Sequence, residues 1–439
     1  MENKKYLILP GCDDTNRGDQ ALIWETLDIM KDAGFLGDYY MLATDECSKQ
    51  SKRVGLNNMQ YILRHPSMYN DSNKDNRKYG LFLKILWILH SIKDCIVCLP
   101  LMSKKWRPLF LKFLENNQKE TMNIFESSDA AFVKGGGFLH AYGGIIETYK
   151  ILFFLYHIRL AISLGIDVYV MPNSFGPFKG KVVKRMIKST ISKCKVVMSR
   201  ESISQQVLLN ECGVESILSD DLAFYLKKDD NFDSVTYLHG KGIPVKIKKC
   251  VAITMRPYRF PANKNPNKQY LNYQKALKNM IEWLYNHDYV PVLVEHTFSQ
   301  SYHERDIICI NEVVQMLDES IKYCVLDDLS LDCKQLKNIY SCFDYIIGTR
   351  FHSVIFSIAE RVPAIAISYG GNKGQGIMND YDLSDYVISI ENVQGNMLIG
   401  RFKKLILHEE IVKKKLDEMI NKQNQEKKRL INIIKRSKG

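Results

Sequence analysis

Tyr345-Ile346-Ile347-Gly348-Thr349-Arg350-Phe351-His352-Ser353 reads as the turning point of a strand–loop–helix unit. The apolar run 345–348 is short enough for a buried strand, a polar loop follows, and a helix begins near Ser353. A helix start carries free N–H groups and the positive end of the dipole, so anions settle there. Arg350 and His352 add two cationic or proton-donating groups at that spot. The next apolar run, 364–368, leads into Tyr369-Gly370-Gly371-Asn372-Lys373-Gly374. That glycine-rich loop with a lysine suits an anionic ligand, although it is no Walker sequence.

The same alternation of short apolar runs and helix-period segments extends both ways, which predicts parallel sheets built from βα units. Upstream, strands are expected at 6–10, 39–43, 130–134, 168–171 and 195–199, with helices over 19–32, 148–164 and 203–212. Residues 227–249 break the pattern with charged, Gly- and Pro-containing sequence. The alternation restarts with a strand at 250–255, a helix near 273–287, and strands at 290–295 and 322–326. A chain of 439 residues exceeds one ordinary core, so two domains are the default. The expected organisation is a Rossmann-like domain over 1–226, a linker over 227–249, a second Rossmann-like domain over 250–395, and basic C-terminal helices over 396–439. The fold class is α/β, with the two domains facing a cleft.

In such sheets ligands bind beyond the carboxyl ends of the strands, and the polar residues cluster there. Gly11-Cys12-Asp13-Asp14-Thr15-Asn16-Arg17-Gly18-Asp19 follows the first strand. Asp13, Asn16 and Asp19 there suit a cleft contact, and helix capping accounts for the acids nearly as well. Gly135-Gly136-Gly137 follows the third strand and fits a chain that approaches a ligand closely. Ser199-Arg200-Glu201 puts an arginine at a strand end, where it can take a carboxylate or phosphate at two points or pair with a neighbouring acid. Asp221 and Arg256 each follow further apolar runs.

Apolar residues make up 46% and charged residues 25% of the chain, with a net charge of +12. Thirteen Lys/Arg against five Asp/Glu fall in 401–439, which fits a solvated helix face or an anionic membrane surface equally. No nucleic-acid motif accompanies this tail, and no nucleic-acid partner is expected. Eleven cysteines without framework spacing, and the lack of a secretory signal, point to a reducing cytoplasm. Cys95-Ile96-Val97-Cys98 has no second pair and no nearby His, so buried thiols are expected rather than zinc. No spacing of His, Cys and Asp asks for a metal. Residues 79–114 are rich in Leu, Ile, Phe and Trp but interrupted by Lys84, His90, Lys93 and Asp94. They make a poor membrane span; an ordinary core or subdomain helix is the favoured reading, an interfacial amphipathic pair the other.

The strand-end motifs, in their order, resemble the polysaccharide pyruvyl transferase family. They are Asn16-Arg17-Gly18-Asp19, Gly135-Gly136-Gly137, Ser174-Phe175-Gly176-Pro177 and Ser199-Arg200-Glu201, then Asp221-Leu222-Ala223-Phe224, Arg350-Phe351-His352-Ser353 and the loop from Tyr369 to Lys373. The resemblance implies a GT-B-like fold, phosphoenolpyruvate as co-substrate without any other cofactor, and a sugar diol acceptor. A pyruvate ketal and phosphate would be the products. Arg200, Arg350, His352, Ser353 and Lys373 would then hold the donor, with His352, Arg350 and Asp221 catalytic. Asp13, Asn16, Asp19, Gly135, Gly136, Gly137 and Arg256 would line the acceptor side. A lipid-linked oligosaccharide acceptor at the inner membrane face fits the basic tail and residues 79–114. The alternatives are a nucleotide-sugar-dependent GT-B glycosyltransferase on the same architecture and a non-catalytic carbohydrate-binding scaffold.

Overall fold

Cys-Val-Ala-Ile-Thr at Cys250–Thr254 is buried at all five positions, the mark of a parallel strand covered on both faces. In the computed structural model it lies at the centre of the second of two sheets. The structure describes residues 3–11, 13–43, 48–69, 80–261, 263–299, 301–370 and 373–438. Cys12, Tyr79, Gly371 and Asn372, each within a motif or segment read from the sequence, lie outside the described residues.

The first sheet contains β1 (Lys5–Leu9), β2 (Asp38–Leu42), β3 (Leu56–Met59), β4 (Ala130–Val133), β5 (Gly136–Ala141), β6 (Asp167–Phe178), β7 (Val196–Ser199) and β8 (Ile217–Leu218). Its order is β3-β2-β1-β4-β6-β7-β8, with β5 pairing β6. The second sheet contains β9 (Cys250–Thr254), β10 (Val290–Val294), β11 (Cys324–Leu326), β12 (Tyr345–Gly348), β13 (Ala364–Ser368) and β14 (Val387–Ser389), in the order β11-β10-β9-β12-β13-β14. This is the strand order of a dinucleotide-binding sheet, reversing direction between β9 and β12; the first sheet reverses between β1 and β4. All the pairings recorded between these strands are parallel.

Period-two alternation gives β1 two different cores. Tyr6 and Ile8 join the larger cluster, which continues into the second sheet, while Leu7 and Leu9 join a cluster on the opposite face. Each fully buried Leu or Ile contributes about 2 kcal/mol. Strands β3, β5, β8 and β14 were not among the expected strands.

The two halves are bonded directly. The loop after β1 meets the end of β10: Asn16 bridges Thr297, and Phe298 N–H donates to Thr15 O at 2.8 Å. Buried Arg17 reaches from the same loop to Leu329 O at 2.6 Å. Lys337 donates to the carbonyls of Ala223, Phe224 and Leu226. The helix Glu409–Arg436 runs back to the first sheet, where Lys427 pairs with buried Glu25 at 2.5 Å and Tyr169 Oη donates to Ser437 O at 3.2 Å.

Candidate active site

The carboxyl ends of both sheets bring a compact polar cluster together. Arg200 stands one residue beyond β7, and Asp221 opens the turn Leu222–Phe224. Their side chains are 0% exposed, and Arg200 Nη1 donates to Asp221 Oδ2 at 2.7 Å. From the second half, Lys373 Nζ lies 3.8 Å and His352 Nε2 3.9 Å from the same Oδ2. Lys373 Nζ and His352 Nε2 are hydrogen-bonded at 2.9 Å. Each comes from a helix start: His352 from Phe351–Ile358, Lys373 from Lys373–Asp380.

Arg200 spends Nε on Ser174 Oγ at 2.7 Å, but its buried Nη2 donates no hydrogen bond. Nη2 is packed against Gly137, where a Cβ would stand only 2.7 Å away. Gly18 performs the same service for His352, since a Cβ there would fall 1.9 Å from Nδ1. These two glycines let a guanidinium and an imidazole sit against the backbone, a close approach that any side chain would prevent.

The electrostatics are those of a positive field. Burial pushes the His352 pKa well below its ordinary value, and Lys373 and Arg200 add to the shift. Burial likewise brings Lys373 down to about 7, with Arg200 lowering it further and Asp221 opposing. The 2.9 Å contact lets the pair share a proton, and a bound anion would raise both affinities for it.

Around this cluster, Lys134, just beyond β4, pairs with Asp19 Oδ1 at 3.1 Å. Asp19 Oδ2 accepts from Asn16 Nδ2 at 3.0 Å, and Asn16 Oδ1 caps the helix Arg17–Asp32 through Gly18 and Asp19 N–H. Asp13 accepts from Thr15 N–H at 2.7 Å and stays half-buried. Gly135 follows β4, while Gly136 and Gly137 begin β5.

Arg350, Arg256 and Ser353 form a second cluster with different partners. Arg350 donates through Nε to Asp306 Oδ1 at 2.7 Å, through Nη1 to Glu304 Oε2 at 2.9 Å and through Nη2 to Glu304 O at 2.6 Å. Arg256 Nη2 takes Glu304 Oε1 at 2.6 Å while its guanidinium lies 4.5 Å over the Tyr369 ring. Burial works against ionisation at Glu304, but Arg256 and Arg350 outweigh it and hold the carboxyl at about 2. Ser353 is fully buried; its Oγ donates to Arg350 O at 2.6 Å and meets Thr254 Oγ1 at 2.8 Å. Arg350 thus fixes the β12–helix turn to the 304–306 segment, and Asp306 in turn accepts from His296 and Thr297 N–H at the end of β10.

Lys134, His296 and the acids Glu304 and Asp306 were not singled out in the sequence. Lys134 and His296 follow strand ends, so the rule that located Arg200 reaches them too. His296 adjoins Asp306 through its N–H, and burial, then Arg350, pushes its ring pKa well below the ordinary value. Tyr258 and Tyr369, with rings 5.4 Å apart, adjoin Arg256 and the Gly370 turn, which Tyr142 also approaches.

Two Rossmann-like sheets with functional groups converging from both define a GT-B-like protein. S. aureus MnaA, solved with UDP, shares this fold with a TM-score of 0.56 at 13% identity, over 98% of this chain and 96% of that one. Anabaena HepE, solved with UDP-glucose, gives 0.54 at 10% identity, over 99% and 98%. At such identities the likeness concerns the fold alone. The family model for polysaccharide pyruvyl transferase matches residues 16–371, and the chain belongs to that family. It is 27% identical to the amylovoran biosynthesis protein AmsJ of Erwinia amylovora over 282 residues, which is 62% of this chain and 64%, less than two thirds, of that relative.

Proposed function

We propose that the chain transfers the pyruvyl group of phosphoenolpyruvate to two hydroxyls of a sugar in a polysaccharide precursor, forming a ketal and releasing phosphate. One observation carries this reading: a buried arginine with an unspent donor, Arg200, stands beside the proton-sharing pair Lys373–His352. Leaving a buried charged donor unpaired is costly, and an anionic oxygen would satisfy it. Family membership supplies the pyruvyl chemistry.

In this mechanism Arg200 and Lys373 hold the donor's carboxylate and phosphate. The Lys373–His352 pair delivers a proton to C3, converting the methylene to a methyl group and leaving cationic character at C2. A sugar hydroxyl adds to C2 and gives up its proton. The C2–O bond to phosphate then breaks, phosphate departs with the electron pair, and the second hydroxyl closes the ketal. One hydroxyl proton restores the pair and the other leaves on phosphate, so protons and charge balance. Asp221 orients Arg200, Lys373 and His352, and the partly exposed Asp19 takes the first hydroxyl proton and passes it on to restore the pair. Arg350 acts as a positioning residue through Asp306 and Glu304. Tyr142, Tyr258 and Tyr369 offer ring faces and phenol hydroxyls suited to a sugar.

The test is incubation with phosphoenolpyruvate and a panel of glycans in heavy water, following phosphate and product mass. Phosphate release matched by a ketal whose methyl group carries one deuterium is expected. Consumption of a nucleotide sugar, with phosphoenolpyruvate untouched, would instead support a glycosyltransferase.

A further inference from the structure

The helix Leu81–Cys98 is not the core helix that its composition favoured: it buries only Leu83, Asp94 and Cys98. Leu81–Met102 is also long and apolar enough, by length and composition, to cross a membrane, contrary to the sequence expectation. Leu81, Ile85, Ile88, Ile92, Ile96 and Leu99 recur at helical spacing and all point outward, and Phe82 beside them is 74% exposed. A contiguous apolar strip of this kind on a surface marks an interaction site. The buried side fastens the helix along the first domain. Tyr69 Oη donates to Asp94 Oδ2 at 2.6 Å, the Tyr69 and His90 rings stack at 4.2 Å, and Tyr156 Oη donates to Cys98 O at 2.9 Å.

The charge around the strip selects its partner. Residues 80–114 contain six Lys/Arg and a single acid, Asp94, which is buried against Tyr69. Lys84, Lys93, Lys104, Lys105 and Lys112 are exposed. Trp106 is half-exposed with Lys105 Nζ 5.4 Å from its ring, the pairing of aromatic and cation found at headgroup depth. In a symmetric dimer the same patch meets itself, and these cations would face one another. We propose that this strip docks in the plane of an anionic lipid bilayer, with the helix lying on the surface rather than spanning it.

The pad continues toward the cleft. Ile145 and Ile146, 89% and 83% exposed, begin the helix Ile145–Ser163, whose Tyr149 sits beside Ser91 and Cys95 of the apolar helix. Just before them Tyr142 reaches the Gly370 turn of the second domain. Docking therefore brings the cleft rim close to the headgroups; that a lipid-borne sugar would meet it there rests on the transferase reading above.

Flotation of the full chain tests the proposal, using phosphatidylcholine vesicles with and without about a third phosphatidylglycerol. The protein should float with the anionic vesicles and far less with the neutral ones. The triple variant Phe82→Ser, Leu89→Ser, Ile96→Ser should lose at least about tenfold in partition while keeping its circular dichroism and its turnover of a water-soluble acceptor. If that variant misfolds, Lys104→Glu with Lys105→Glu should abolish the preference for anionic vesicles. Four results overturn the proposal: no flotation; a triple variant that floats unchanged; resistance of bound protein to alkaline carbonate, which indicates a span; or a dimer in sedimentation that the triple variant dissolves, which assigns the strip to a second copy. Turnover of the soluble acceptor is independent of all four.

Discussion

Arg200 and Arg350 both stand just beyond the carboxyl end of a fully buried parallel strand, yet the structure gives them different surroundings. Arg350 is saturated: Glu304 and Asp306 take its donors from a separate segment. Arg200 has the Asp221 carboxylate on Nη1, a serine on Nε with the Glu201 carboxylate 3.6 Å away, and an unspent Nη2 facing Gly137. The first is the arrangement of a structural hub; the second leaves a donor free, as the proposed anion site requires. An arginine's job is thus decided by the count of acceptors around it, not by its place at the strand end.

The same substitution at both positions separates the two roles. Arg200→Lys keeps the charge but removes the two-point fork, and kcat/KM of the folded fraction with phosphoenolpyruvate should fall about a thousandfold. Arg350→Lys should lose about 3 kcal/mol of stability in a denaturant titration because Asp306 and Glu304 are left under-compensated. Its folded fraction should keep turnover within about tenfold of wild type. Equal catalytic losses at both sites would erase the distinction.

Lys373→Met should cost about a hundredfold in kcat/KM and change the pH profile. The folded pKa of Lys373 is depressed to about 7, so the free enzyme loses that proton as pH rises. Wild-type kcat/KM should accordingly decline above about pH 7, by about tenfold per unit, and the variant should lack this limb. An unchanged limb would assign the proton elsewhere. The smallest effect is expected from Gly18→Ala, where the new Cβ displaces the His352 ring; a loss of about tenfold in kcat with little change in KM would fit a misplaced proton donor.

Legibility in the sequence followed burial. β9, β12 and β13 are covered on both faces, so each is a continuous apolar run and was read at nearly its observed bounds. β3 carries Asn57 and Asn58 between Leu56 and Met59 at the edge of the first sheet, and its polar middle hid it. β5 begins with two of the three glycines, which read as a loop because their pairing with β6 is a backbone matter. At the candidate site, strand-end position picked out Arg200, Asp221, His352 and Lys373, which the structure brings into one cluster. It could not separate Arg350 from Arg200, because Glu304 and Asp306 arrive through tertiary packing. Nor could it find Lys337, a lysine in mid-helix whose three carbonyl acceptors come from another segment.

The central claim, that the Arg200–His352–Lys373 crevice holds the donor's anion, is tested most directly by titration calorimetry with phosphoenolpyruvate and, separately, UDP-glucose. Saturable phosphoenolpyruvate binding that weakens about tenfold or more in Arg200→Lys is expected, with no heat from UDP-glucose. Binding of UDP-glucose without phosphoenolpyruvate, or phosphoenolpyruvate binding that Arg200→Lys leaves unchanged, would contradict it.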